Sequence, residues 1–197
     1  MTTVASGRPG RPTSVDREDA LRFASARFLA GERVDVKAIA LELGLARATM
    51  HRWFHTRDAL LGEVLARLTE KRLAKIRRGI SDRGARALLE TADTFNRELA
   101  SATGLRALFA HEHERTLRIL TSSGGIVQPR AVAAIKRLID EEIAAGSFIS
   151  SVAPDTLAYA IVRLAESFLY NDAIVGIRGD TERLREVEAA LLGVAPH

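Results

Sequence analysis

Arg47, Thr49, His51 and Arg52 form a cluster of hydrogen-bond donors on a short segment that begins just after Gly44. An arginine near the start of a short helix presents a planar fork that matches the O6 and N7 acceptors of guanine in a major groove. Thr49, His51 and Arg52 can donate to phosphates or base edges. Ala48 between them is small enough to let a helix approach, and its methyl can touch a thymine methyl. Met50, Trp53 and Phe54 occupy the complementary helical positions and are expected to turn inward. Two flanking cations, Lys37 ahead and Arg57 behind, are candidates for phosphate contacts. Arg8 and Arg11, within GRPGRP, suit an arm lying in a narrow minor groove or a basic tail that adds non-specific affinity. These residue types in this pattern point to double-stranded DNA as a partner.

A helix-turn-helix must position them. Val36, Ile39, Ala40 and Leu43 have helical spacing and stop at Gly44; a second helix over about 46–53 follows within two residues. Asp16, Asp35 and Thr56 are placed to cap the helices that start after them. The first helix runs to about Ala30, with Ala20, Leu21, Ala24, Phe28 and Leu29 inward. The helix after Thr56 is long, since Leu60, Leu61, Val64, Leu65 and Leu68 keep one face apolar, and it reaches about Ile80. Further helices are expected over 85–102, 104–121, 128–145, 154–177 and 180–192, punctuated by Gly104, Ser122–Gly125, Gly146, Pro154 and Gly179. The sum is an all-α chain of about nine helices. It divides into a basic arm (1–14), a helix-turn-helix domain (15–62, continuing into a linker helix to about 80) and a helical C-terminal domain (81–197).

Composition agrees. Of 197 residues 47% are apolar and 5% aromatic, enough for a core and without the alternation of strands. The absence of cysteine excludes disulfides, thiol catalysis and zinc–thiolate sites. No apolar run is long enough to span a bilayer and the N-terminus has no export pattern, so a cytoplasmic location without membrane partners is expected. Residues 1–80 carry 16 Lys and Arg against 9 Asp and Glu, while the remainder carries 13 against 16. A basic first part joined to a slightly acidic second part is the asymmetry expected when only the first meets a polyanion.

The stretch Ile39–Ala40, Gly44–Leu45, Ala48–Thr49–Met50–His51–Arg52–Trp53–Phe54, Arg57–Asp58–Ala59–Leu60–Leu61 resembles the DNA-binding domain of the TetR family of one-component repressors. It departs from the family pattern at three points: His51 stands for the usual Tyr, Ala46 for Ser, and Arg57 for Lys. The form Arg47–Ala48–Thr49, Arg52–Trp53, Arg57, Leu60–Leu61–Gly62–Glu63–Val64–Leu65 is similar to the QsdR-type branch, regulators linked to degradation of lactone quorum signals. The resemblance implies a homodimeric repressor on a palindromic operator, and a C-terminal domain that binds a small apolar or amphipathic effector, an acyl lactone in the finer reading. A two-fold dimer sets two recognition helices roughly 34 Å apart, or a multiple of it.

The C-terminal residues give this partial support. Thr156–Ile177 is apolar on more than one face, as a helix packed within a monomer and against a second copy would be; Leu184, Val187, Leu191 and Leu192 complete such an interface. Phe95, Leu99, Leu108, Phe109, Leu117, Phe168 and Tyr170 are candidate cavity walls, and His113, Glu166 and Asn171 candidate polar contacts. No cofactor is expected. His111 and His113 in HEHE point about 200° apart on a regular helix and cannot share a metal ion. Nothing resembles a catalytic triad or phosphate loop. Two other readings remain: a constitutive DNA-binding dimer with a solid C-terminal body, which a search for a void above roughly 300 Å³ tests, and a helical enzyme.

Overall fold

The computed structural model describes residues 15–171 and 180–197; Arg8 and Arg11 lie outside them, as does the Asn171 side chain. The described residues form nine α-helices and no strand: α1 (Arg17–Leu29), α2 (Val36–Glu42), α3 (Arg47–Phe54), α4 (Arg57–Gly79), α5 (Gly84–Ser101), α6 (Thr103–Thr121), α7 (Val127–Ala144), α8 (Pro154–Glu166) and α9 (Thr181–Leu192). A π-helical turn, Ser167–Asn171, continues α8. The fold is all-α, as the periodicity predicts. No helix among the described residues is long and apolar enough to cross a membrane.

Local chemistry sets the boundaries of the first four helices. Asp16 and Asp19 form a reciprocal capping box at α1, Asp35 accepts from the Lys37 and Ala38 amides at α2, and Thr56 accepts from the Ala59 amide at α4. The turn after α2 is a Schellman motif. Gly44 has φ +64°, its N–H donates to Leu41 O, and the Leu45 N–H donates to Ala40 O at 2.8 Å. Only a residue without Cβ takes that backbone without strain.

Packing runs across residue 80. One hydrophobic cluster joins Phe28, Ile39, Met50, Phe54, Leu60 and Leu61 of α1–α4 to Leu105, Leu108 and Leu120 of α6 and Leu169 and Tyr170 beyond α8. A second holds Leu73 of α4 with Leu88, Leu89, Ile139, Leu157 and Ile161. Helix α4 therefore passes through both. At Gly104 the first turn of α6 lies so close to α1 that a Cβ would sit 2.2 Å from Phe28 O. Arg130 of α7 reaches Glu63 and Glu70 of α4, and Glu63 also takes Arg17 of α1.

Two departures from regularity matter for the site. Helix α6 breaks at Glu112, where φ is −142° and ψ is 51°. Of the single helix expected over 154–177, residues 172–177 lie outside the described residues; the described part widens into the π-turn after Glu166, with Leu169 and Tyr170 buried.

Candidate nucleic-acid interface and effector cavity

Helix α3 divides as its residue types dictate. Met50 and Phe54 are fully or almost fully buried, and the Trp53 ring meets Phe54 edge-on. The Arg17 guanidinium lies 5.0 Å from the centre of the Phe54 ring and closes that side. Arg47, Ala48, His51 and Arg52 face solvent, Thr49 is half-buried, and Lys37 projects outward from the first turn of α2. Among the described residues no acidic side chain pairs with Arg47, Arg52 or Lys37. They are unlike Arg17, Arg27, Arg67 and Arg77, each of which is bonded to a carboxylate.

Arg57 behaves differently from the expectation. Its Nε donates to Val34 O at 2.7 Å and its Nη1 to Glu112 Oε2 at 2.6 Å, and its side chain is only 12% exposed. Arg115 donates to the same Glu112 and, at 2.6 Å, to Asp58. The guanidinium is thus bonded inside the protein rather than held out toward a phosphate. It ties the first turn of α4 and the α1–α2 connection to the break in α6. Bonding by Arg57 holds the Glu112 carboxyl below the usual range. The HEHE motif finds its structural use here, since the α6 break falls on the acid between its histidines. Sequence spacing could not reveal a partner 55 positions away.

A cavity of about 520 Å³ opens between α1, α4, α5, α6, α7 and α8. That is within the range of small-molecule sites. Its wall is mainly apolar, and it includes four of the expected residues: Phe95, Leu99, Glu166 and Tyr170. Leu108, Phe109, His113, Leu117 and Phe168 are not part of the wall. Leu108, Phe109, Leu117 and Phe168 belong instead to the cluster shared with the helix-turn-helix. His113 stacks at an angle on Phe109, with Nε2 buried and without a bonding partner among the described residues.

The polar groups of the wall are partly ones the sequence does not announce. Gln128 is 3% exposed and donates from Nε2 to Thr121 O at 3.0 Å and to both oxygens of Glu166 at 3.2 Å. Arg163 donates to Glu166 Oε2 at 2.6 Å. Burial raises the Glu166 carboxyl above its ordinary value, against the pull of Gln128 and Arg163. Burial, reinforced by Glu166, also pushes the Tyr170 hydroxyl up, so it remains protonated. Asn96 lines the wall from α5 and donates to Glu188 of α9, at 3.2 and 3.3 Å. Lys71, Lys75 and a bidentate Arg72–Glu98 pair also line the cavity, from α4 and α5, and both lysines are exposed.

Residues 83–193 match the family model "Tetracyclin repressor-like, C-terminal domain". The solved structure of the transcriptional repressor QsdR from R. erythropolis, of the TetR family, superposes with a TM-score of 0.83 at 30% identity, covering 93% of this chain and 97% of that one. The chain belongs to the TetR family. The TetR-family repressor AlkX from Dietzia sp. strain DQ12-45-1b, implicated in biodegradation of n-alkanes, shares the fold at TM-score 0.62 and 21% identity, covering 92% and 98%. No curated protein matches by sequence comparison. The TetR-family match to QsdR spans both the helix-turn-helix and the helices around the cavity. Both parts therefore carry the TetR repressor fold.

Proposed function

We propose that this TetR-family chain is a ligand-responsive transcriptional repressor without enzymatic activity. It works as a homodimer on a palindromic double-stranded DNA operator and releases it when a small apolar or amphipathic effector fills the cavity. The observation that carries this reading is the open, unpaired cationic face of α3. Arg47, Ala48, Thr49, His51 and Arg52 read and grip the groove, and Lys37 holds a phosphate. Arg8 and Arg11 belong to the same proposal as an arm along the minor groove. An acyl lactone is the finer candidate for effector, supported by the likeness to QsdR.

Two features support the dimer and the switch. Tyr159 on α8 and Val187 and Leu191 on α9 are exposed apolar side chains suited to a four-helix contact with a second copy. The cavity volume exceeds what a solid, constitutive dimerisation body would contain, which favours the responsive reading over that rival. An effector acts only through differential affinity for the two states of the dimer, and a coupling of about 1–3 kcal/mol suffices to shift operator occupancy.

The test is selection of a preferred duplex from random sequences, followed by affinity measurement for Arg47→Ala. The expected loss is about 1–3 kcal/mol, concentrated on the selected sequence and relaxing one base position. Equal losses on selected and random DNA, or a monomer in solution without sequence preference, would overturn the reading.

A further inference from the structure

The deep wall of the cavity has a chemical polarity of its own. The orientation of the Gln128 amide is settled by Thr121 O, which can only accept, so Nε2 must face Thr121 and the Glu166 carboxylate. Gln128 Oε1 is then turned away from those partners, and no donor among the described residues reaches it, although the residue is 3% exposed. The Tyr170 hydroxyl is likewise without a partner among the described residues, in a side chain 8% exposed. Both residues line the cavity. Glu166 adds acceptor oxygens, and its one cationic neighbour, Arg163, is already bonded to it. The pole is therefore rich in acceptors and has no unengaged cation among the described residues. Polar groups that line an apolar cavity without a protein partner favour a ligand that bonds them. Leu65, Leu68, Leu105, Val127 and Ile161 of the same wall offer only apolar contact.

We infer that the cavity selects an uncharged linear amphiphile whose head donates a hydrogen bond, a hydroxyl or amide N–H, to Gln128 Oε1 beside Glu166 and Tyr170, with the alkyl chain running along the apolar wall toward α4 and α5. This rests on the effector reading above and specifies its head group. A carboxylate head is disfavoured at the pole, where it meets Glu166 without a free cation. Reversed, with its carboxylate at Lys71 and Lys75, such a ligand leaves its methyl end against Gln128 and Tyr170 and satisfies neither.

Three probes of equal chain length separate the cases: 1-decanol, decyl methyl ether and decanoate, titrated calorimetrically into the full-length protein at pH 7. The alcohol is expected to bind roughly tenfold tighter than either of the others, the equivalent of one buried hydrogen bond. In Gln128→Leu that preference over the ether collapses while ether binding persists, and Tyr170→Phe, which removes only the hydroxyl, narrows it. Ether or decanoate binding as tightly as the alcohol overturns the donor-head inference and leaves an effector cavity in place. Binding of none of the three overturns both. Selective alcohol binding that leaves operator affinity unchanged keeps the head-group inference and refutes the effector role.

Discussion

The outward face of α3 and the junction around Glu142 treat charge in opposite ways. On α3, Arg47 and Arg52 stand exposed with no acid among the described residues bonded to them. At the junction of α4, α5 and α7, donors converge on one carboxylate that is 2% exposed: Arg77 Nη2, the Gly84 N–H at 2.7 Å and Ser147 Oγ at 2.6 Å. Burial works to raise the Glu142 carboxyl, but Ser147, Arg77 and Gly84 outweigh it and bring it down to about 2. One region satisfies itself and holds the fold together. The other is left unpaired among the described residues. If the proposed function holds, stability and DNA binding fall on different arginines, and substitutions should separate them.

The largest effect is expected from breaking the self-satisfied region. Glu142→Ala leaves Arg77, whose side chain is 11% exposed, without its counter-charge and removes the acceptor for Gly84 and Ser147. A loss of about 3–5 kcal/mol is expected in urea unfolding, as for other buried pairs deprived of one member. The pH sign follows from the lowered pKa. The contribution of Glu142 is present above its unfolded value of 4.5 and is lost as pH falls toward 2. If Glu142→Ala unfolds at the wild-type urea midpoint, the two regions do not differ in the way described.

Glu188 sharpens the contrast from the other side. It is fully buried on α9 and has the Asn96 amide but, among the described residues, no cation bonded to it. Burial, with Asp93 nearby, pushes its carboxyl up to about 8 despite Asn96, so at neutral pH it is mostly uncharged. Its contribution is complete below the unfolded value and declines as pH rises from 4.5 through 8. Glu188→Gln keeps the shape without the proton, so it should stabilise the protein at pH 7, by on the order of 1–3 kcal/mol. It should also flatten the fall in melting temperature between pH 5 and pH 8. A parallel fall in variant and wild type would show that Glu188 does not titrate in this way.

The open face should give the mirror-image result. Arg47→Ala and Arg52→Ala are expected to change folding stability by no more than about 0.5 kcal/mol, since neither side chain has a partner to lose. Operator binding should fall by about 1–3 kcal/mol for Arg47→Ala. A melting-temperature drop in either variant comparable to that of Glu142→Ala would mean that α3 also uses its arginines to hold the fold.

This division explains how much was legible in the sequence. N-cap residues, the Gly44 turn and one-sided apolar spacing are local, and they placed α1 to α4 within a residue or two. The outward residues of α3 followed from helical phase alone. Phe95, Leu99, Glu166 and Tyr170 were legible as apolar or oddly polar residues on helices that had to face a core. Gln128 and Asn96 were not, because an amide becomes informative only when its N–H group is seen to be engaged elsewhere. The Glu112 break was hidden for a related reason. Glu112 is met there by Arg57 from α4 as well as by Arg115 of α6 itself, and a pattern read one helix at a time does not contain the first of these meetings.

Arg57 is the residue on which the two regions meet, and the smallest expected effect tests it. If it were a phosphate contact, Arg57→Ala would weaken all DNA alike and reduce the salt dependence of binding by about one phosphate's worth. The geometry instead makes it a strut. It links Val34 and the start of α4 to Glu112, and α6 lines the cavity with Leu105 before the break and Leu120 after it. A strut predicts that Glu112→Ala reproduces Arg57→Ala, with the double variant no worse than either single one and a coupling energy of about 0.5–2 kcal/mol. It also predicts an unchanged salt slope. Pure electrostatics predicts the reverse for Glu112→Ala, since removing an acid close to DNA should tighten binding. The sign of that one affinity change, measured beside the slope for Arg57→Ala, decides whether the arginine at the head of α4 faces the DNA or carries the state of the cavity toward it.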